Sequence, residues 1–185
     1  MESTASRLLN DMALATMLTH SIPTPLRWGS VLIVANTAAA LLLSPPSLVW
    51  LMVLYGTLLV HTAVAIPFFA PLVSTKSGIL KIITIASAVM YVLLAWSLDD
   101  PTQFFALLAI LFFLAAIGYR VLFSITGIKK FQQKILIDGL GGLFALVTLA
   151  LLLIEKIDFV LPITTIGYVL VTLWMLWIRP FYHSY

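Results

Sequence analysis

The chain has 185 residues, 62% of them hydrophobic and 9% charged, with a formal charge of +3 and a mean hydropathy of +1.13. Soluble domains carry about 25% charged residues, so a water-soluble fold of this size is excluded, and so small and dispersed a charge argues against a nucleic-acid surface. The lack of cysteine removes disulfides, thiolate metal sites and thiol nucleophiles.

Residues 1–26 carry Glu2, Arg7, Asp11 and His20 without an uninterrupted apolar run, so they do not read as a signal peptide. Leu8, Leu9, Met12 and Met17 share one side of a short helix, and Asn10, Asp11 and Thr19 the other. This cytoplasmic segment is expected as a helix lying in the membrane interface or as a partly ordered tail, ended by Pro23 and Pro25.

Six apolar stretches follow: Arg27–Ser44, Leu48–Phe69, Gly78–Leu98, Thr102–Phe123, Lys134–Ile154 and Phe159–Ile178. A bilayer core of roughly 30 Å takes about 20 residues of helix. Lipid offers no water to free backbone groups, so helix is the expected form. The expectation is an all-α polytopic membrane protein: one six-helix domain over residues 27–179, with a short tail over 180–185. Trp28, Trp50, Trp96, Trp174 and Trp177 fall near span ends, where an aromatic belt belongs.

Counting sides by alternation puts Arg7, Arg27, Lys76, Lys81, Arg120, Lys129, Lys130, Lys134 and Arg179 together, nine of the ten basic residues. Lys156 stands alone on the other side, with Asp99, Asp100, Glu155 and Asp158. The positive-inside rule then places both termini in the cytoplasm, or in stroma or matrix for an organelle. A bacterial cytoplasmic membrane is the expected location, with a thylakoid or organelle inner membrane as the alternative.

Far-side connections are short: Ser44–Ser47, Asp99–Pro101 and Glu155–Asp158. The cytoplasmic ones are longer, which suggests three helical hairpins over 27–70, 78–123 and 134–179. The first and third align in part: Gly29 with Gly139, Ala40–Leu43 with Ala150–Leu153 and, after one residue of slip, Gly56 with Gly167. Parallel repeats of this kind occur in transporters.

Length, six spans, consecutive hairpins and scattered span glycines together resemble the HdeD-like acid-resistance membrane proteins, over 26–69, 79–123 and 135–178. The resemblance lies in pattern and implies a small polytopic protein tied to stress or acid tolerance, without a catalytic centre. It carries no site residue to this chain.

Several residues could carry chemistry. His61 is the one histidine inside an expected span; it reads as a helix–helix contact, an axial ligand to a pigment or cofactor, or part of a proton or solute path. Asp138 stands about one turn inside the fifth span, with Lys134 four residues earlier and Arg120 at the end of the fourth. These three read as an ion-pair group near the interface or as proton carriers. Asn36, in mid-span, calls for an interhelical hydrogen bond.

Thr84, Ser87, Thr148, Thr164, Thr165 and Thr172 can bond back to their own helices. Gly139, Gly141 and Gly142, and the pairs Ala35/Ala39 and Gly141/Ala145, offer close-approach faces. Tyr91, Tyr119 and Tyr168 read as packing or interface residues.

No G-x-S-x-G, H-E-x-x-H or Walker loop occurs, nor paired mid-membrane carboxylates, so no enzymatic function is expected. Three functional classes remain. One is the HdeD-like stress protein. Another is an accessory subunit of a respiratory or photosynthetic complex, touching other membrane subunits and a bound lipid or pigment. The third is a small-solute transporter or capture component.

Overall fold

Apolar side chains in long runs can satisfy their backbone only within their own segment, and the computed structural model is helical accordingly. It describes residues 46–76, 78–154 and 157–178. The expected first span Arg27–Ser44, the segment before it, Asn36, the Ala35/Ala39 pair and the C-terminal tail lie outside the described residues.

Five helices follow in order: α1 (Pro46–Lys76), α2 (Gly78–Trp96), α3 (Pro101–Thr126), α4 (Lys129–Leu152) and α5 (Ile157–Leu173), with a π-helical turn at Trp174–Ile178. No strand occurs among the described residues. All five helices are long and apolar enough to cross a membrane.

The helices run further than hydropathy suggests. The expected cytoplasmic connections over 70–77 and 124–133 are almost entirely helical: α1 continues to Lys76, and only Gly127 and Ile128 separate α3 from α4. Hydropathy marks the part of a helix that lies in hydrocarbon, whereas its ends are decided by backbone hydrogen bonding and caps. The polar run Lys129–Lys134 consists mostly of good helix formers and simply extends α4.

Gly127 makes the break. Its φ of 69° is left-handed, and its N–H donates to the Phe123 carbonyl at 2.8 Å, the geometry that ends a helix where a β-carbon would be strained. At the opposite end Asp100 caps α3. Its Oδ1 accepts from the N–H groups of Thr102 at 2.9 Å and Gln103 at 3.1 Å, and Pro101 follows in the first helical turn, where its missing N–H costs nothing.

Neighbours in sequence are neighbours in space, and α5 returns onto α1. The most extensive packing joins α3 to α4 rather than the two helices of an expected hairpin. Two glycines allow it: a β-carbon on Gly141 would stand 3.1 Å from the Phe112 ring, and one on Gly142 would stand 2.9 Å from the Phe113 ring. Gly139 faces open space and takes no part, contrary to the three-glycine face expected above. It falls on the wrong side of the helix for that contact.

The main core lies toward the Asp100 end. Leu54 and Leu58 of α1, Leu94 of α2, Phe104, Phe105 and Leu108 of α3, Ala145 of α4 and Leu161 of α5 are buried together. A smaller cluster of Leu80, Leu122 and Phe131 closes the other end. The outer faces are apolar: Ile82, Ile85, Val92 and Trp96 on α2 and Leu136, Leu140 and Val147 on α4 are all exposed. A surface of that kind suits lipid and not water.

Candidate functional site

Between the two packed clusters the helices leave a cavity of about 410 Å³. Each wall is one helical face. Leu58, His61, Thr62 and Ala65 come from α1; Leu80, Thr84, Ser87 and Tyr91 from α2; Leu111, Ala115, Gly118 and Leu122 from α3; Lys134 and Asp138 from α4; and Tyr168 from α5. The spacings of three, four and seven residues are those of side chains stacked on one side of a helix.

Lys134 and Asp138 form the polar centre. Lys134 Nζ donates to Asp138 Oδ1 at 2.6 Å, and the two side chains are 7% and 3% exposed. Both belong to α4, four residues apart, so one helix positions the pair without help from its neighbours. The aromatic floor steadies the ammonium: Nζ stands 5.5 Å from the Tyr119 ring centroid, a cation–π distance, and Tyr119 stacks on Phe131 at 6.1 Å. Asp138 Oδ2 is buried and has no hydrogen-bond partner among the described residues.

The ion pair expected at Lys134 and Asp138 is present, and both partners stand on α4, farther from the helix start than expected. Because α4 starts at Lys129, Asp138 lies nine residues inside it, about two and a half turns. Arg120 does not join the pair; it is exposed on α3 and stays outside the cavity.

His61 faces the cavity from α1, within electrostatic reach of Lys134. Among the described residues no three His, Cys, Asp or Glu side chains converge as metal ligands.

Hydroxyl groups complete the wall. Tyr91 and Thr62 share a short hydrogen bond between α2 and α1, and Tyr55 donates to the Tyr91 carbonyl at 3.0 Å. Thr84 bonds back to the Leu80 carbonyl at 2.8 Å. Away from the cavity Thr148 and Thr164 join α4 to α5 at 3.2 Å, and Thr165 donates to the Trp50 carbonyl of α1 at 3.2 Å. These last contacts are interhelical and go beyond the back-bonding expected for threonine.

Tyr91, Tyr119 and Thr62 were not singled out as site residues by sequence reasoning. A signal for two of the walls exists: Thr84, Ser87 and Tyr91 recur at helical spacing in an otherwise apolar α2, and Thr62 adjoins His61.

Compared with known protein families, curated proteins and solved structures, the chain shows no match.

Proposed function

We propose that this protein binds a small, mostly apolar solute inside the membrane, as a capture or transport component and without catalytic chemistry of its own. The observation that carries this reading is the cavity itself: about 410 Å³, walled mainly by apolar and aromatic side chains, with one buried ion pair and a few hydroxyls. Small-molecule sites have this build, at roughly 300–1,000 Å³ with few, fixed polar groups. An ionisable pair inside a membrane domain is expensive and marks ligand or ion pathways by default.

In the proposed topology Arg27–Ser44 is a sixth span and both termini face the cytoplasm, because nine of the ten basic residues then share that side. The cavity would then lie in the cytoplasmic half of a bacterial inner membrane. The HdeD-like pattern, with its three hairpins, would set the binding in stress or acid tolerance, and that setting is part of the proposal.

The test is direct. The full chain is purified in mild detergent, released in a native mass spectrometer and inspected for a retained small molecule. Ala115→Phe, which fills the cavity from α3, should abolish the adduct while leaving helix content unchanged. A wild-type protein that never carries an adduct or takes up added apolar compounds, or an adduct that survives Ala115→Phe, refutes the reading.

A further inference from the structure

We infer that the solute is electrically neutral and carries a hydroxyl donor on an apolar body, a phenol or an apolar alcohol, and that its hydroxyl binds Asp138 Oδ2. This rests on the cavity being a solute site and adds the chemistry of the head group.

The first argument is charge. Lys134 and Asp138 balance one another at 2.6 Å. A charged head group would bring a net charge into a low-dielectric site, and an uncompensated buried ion costs several kcal/mol. The balanced pair therefore selects against amines and carboxylates alike.

The second argument is the hydrogen-bond inventory. A carboxylate offers about four acceptor positions on its two oxygens, and Lys134 uses Oδ1. Oδ2 is buried without a partner among the described residues, although a buried polar atom without one is costly. Among the cavity hydroxyls, Tyr91 and Thr62 bond to each other and Thr84 donates to the Leu80 carbonyl; none of the three reaches Oδ2. The unmet requirement is thus for a donor that brings no charge, and a hydroxyl supplies it. Tyr119, Tyr168 and Phe112 on the walls offer ring faces to the rest of the molecule.

The experiment compares four probes of similar body on the full-length protein in detergent, by native mass spectrometry with empty-micelle controls: 4-octylphenol, its methyl ether 4-octylanisole, 4-octylbenzylammonium and 4-octylbenzoate. The phenol should bind about tenfold or more tightly than the ether, the difference made by one hydrogen bond to a charged acceptor. Both ions should bind at least about tenfold more weakly than the phenol.

In the double variant Lys134→Met/Asp138→Leu the advantage of the phenol over the ether should vanish. Should that variant fail to fold, the wild-type comparison decides alone. Equal binding of phenol and ether overturns the donor inference and leaves the cavity reading standing. Tighter binding of either ion overturns neutrality. Failure of all four to bind overturns the inference and the solute-site reading together.

Discussion

Removing one partner of the Lys134–Asp138 pair should destabilise the protein far more than removing both. Lys134→Met leaves a carboxylate that is 3% exposed in the native side chain, on a short stem that cannot swing to the end of the helix. Loss of one partner from a buried pair costs about 3–5 kcal/mol. Asp138→Leu leaves the lysine instead, about 7.5 Å from the start of α4. Its flexible stem can swing the ammonium toward that end, so about 1–3 kcal/mol is expected, below the full cost of a trapped charge.

In the double variant Lys134→Met/Asp138→Leu no charge remains, and replacement of a buried pair by apolar groups is often neutral or stabilising. It should lie within about 1 kcal/mol of wild type, which makes the coupling about 3 kcal/mol or more. An ordinary interhelical hydrogen bond in a membrane protein averages only about 0.6 kcal/mol, so the two accounts separate cleanly. The assay is reversible unfolding in mixed micelles, followed by helical circular dichroism. A Lys134→Met cost below about 1 kcal/mol, or a double variant as unstable as Lys134→Met alone, refutes the buried-pair argument.

Other outcomes follow from the packing and caps. Gly141→Val should cost about 1–3 kcal/mol by overpacking against Phe112, whereas Gly139→Ala, which meets open space, should be neutral or stabilising by up to about 1 kcal/mol; the same unfolding assay compares them. Thr165→Val removes the bond to the Trp50 carbonyl and should cost about 0.6 kcal/mol, up to about 2, with loss of protection in hydrogen exchange at the α1–α5 contact. Asp100→Ala uncaps α3 and should cost about 1 kcal/mol; an unchanged midpoint would show that the cap is dispensable. Reporter fusions at Asp100 and at Tyr185 should give opposite signals, and matching signals would rule out the alternating topology.

What could be read in advance divides along a physical line. Helix and membrane compatibility were legible because they depend on composition and run length, which are local. The Lys134/Asp138 pair was legible for the same reason: four residues apart in a helix is contact. The extent of α4 was not, since apolar content reports where lipid is, and the polar segment Lys129–Lys134 is helical for other reasons. Counted from Lys129 rather than from Lys134, Asp138 stands about two and a half turns from the helix start. Arg120 lies outside the cavity, since its distance from Asp138 in sequence says nothing about which side of α3 it occupies. Gly139 and Gly142 have the same composition signal, and only the rotation of α4 against α3 separates them.

The arrangement of the pair also explains how a polar site can exist between apolar helices. Helices associate in lipid without a hydrophobic drive, so a charge that waited for a partner on another helix would be exposed to hydrocarbon until assembly. Here Lys134 and Asp138 are four residues apart on α4, and Lys134 Nζ donates to Asp138 Oδ1 within that one helix. The neighbours contribute the rest: α3 the aromatic floor through Tyr119, α1 and α2 the shared Thr62–Tyr91 bond. Packing surrounds the cavity on both sides: Phe104 and Phe105 of α3 are fully buried in the main core, and Leu80, Leu122 and Phe131 pack against Tyr119 at the other end. Asp138 Oδ2 has no hydrogen-bond partner among the described residues, and that is the reason to look for the molecule that completes it.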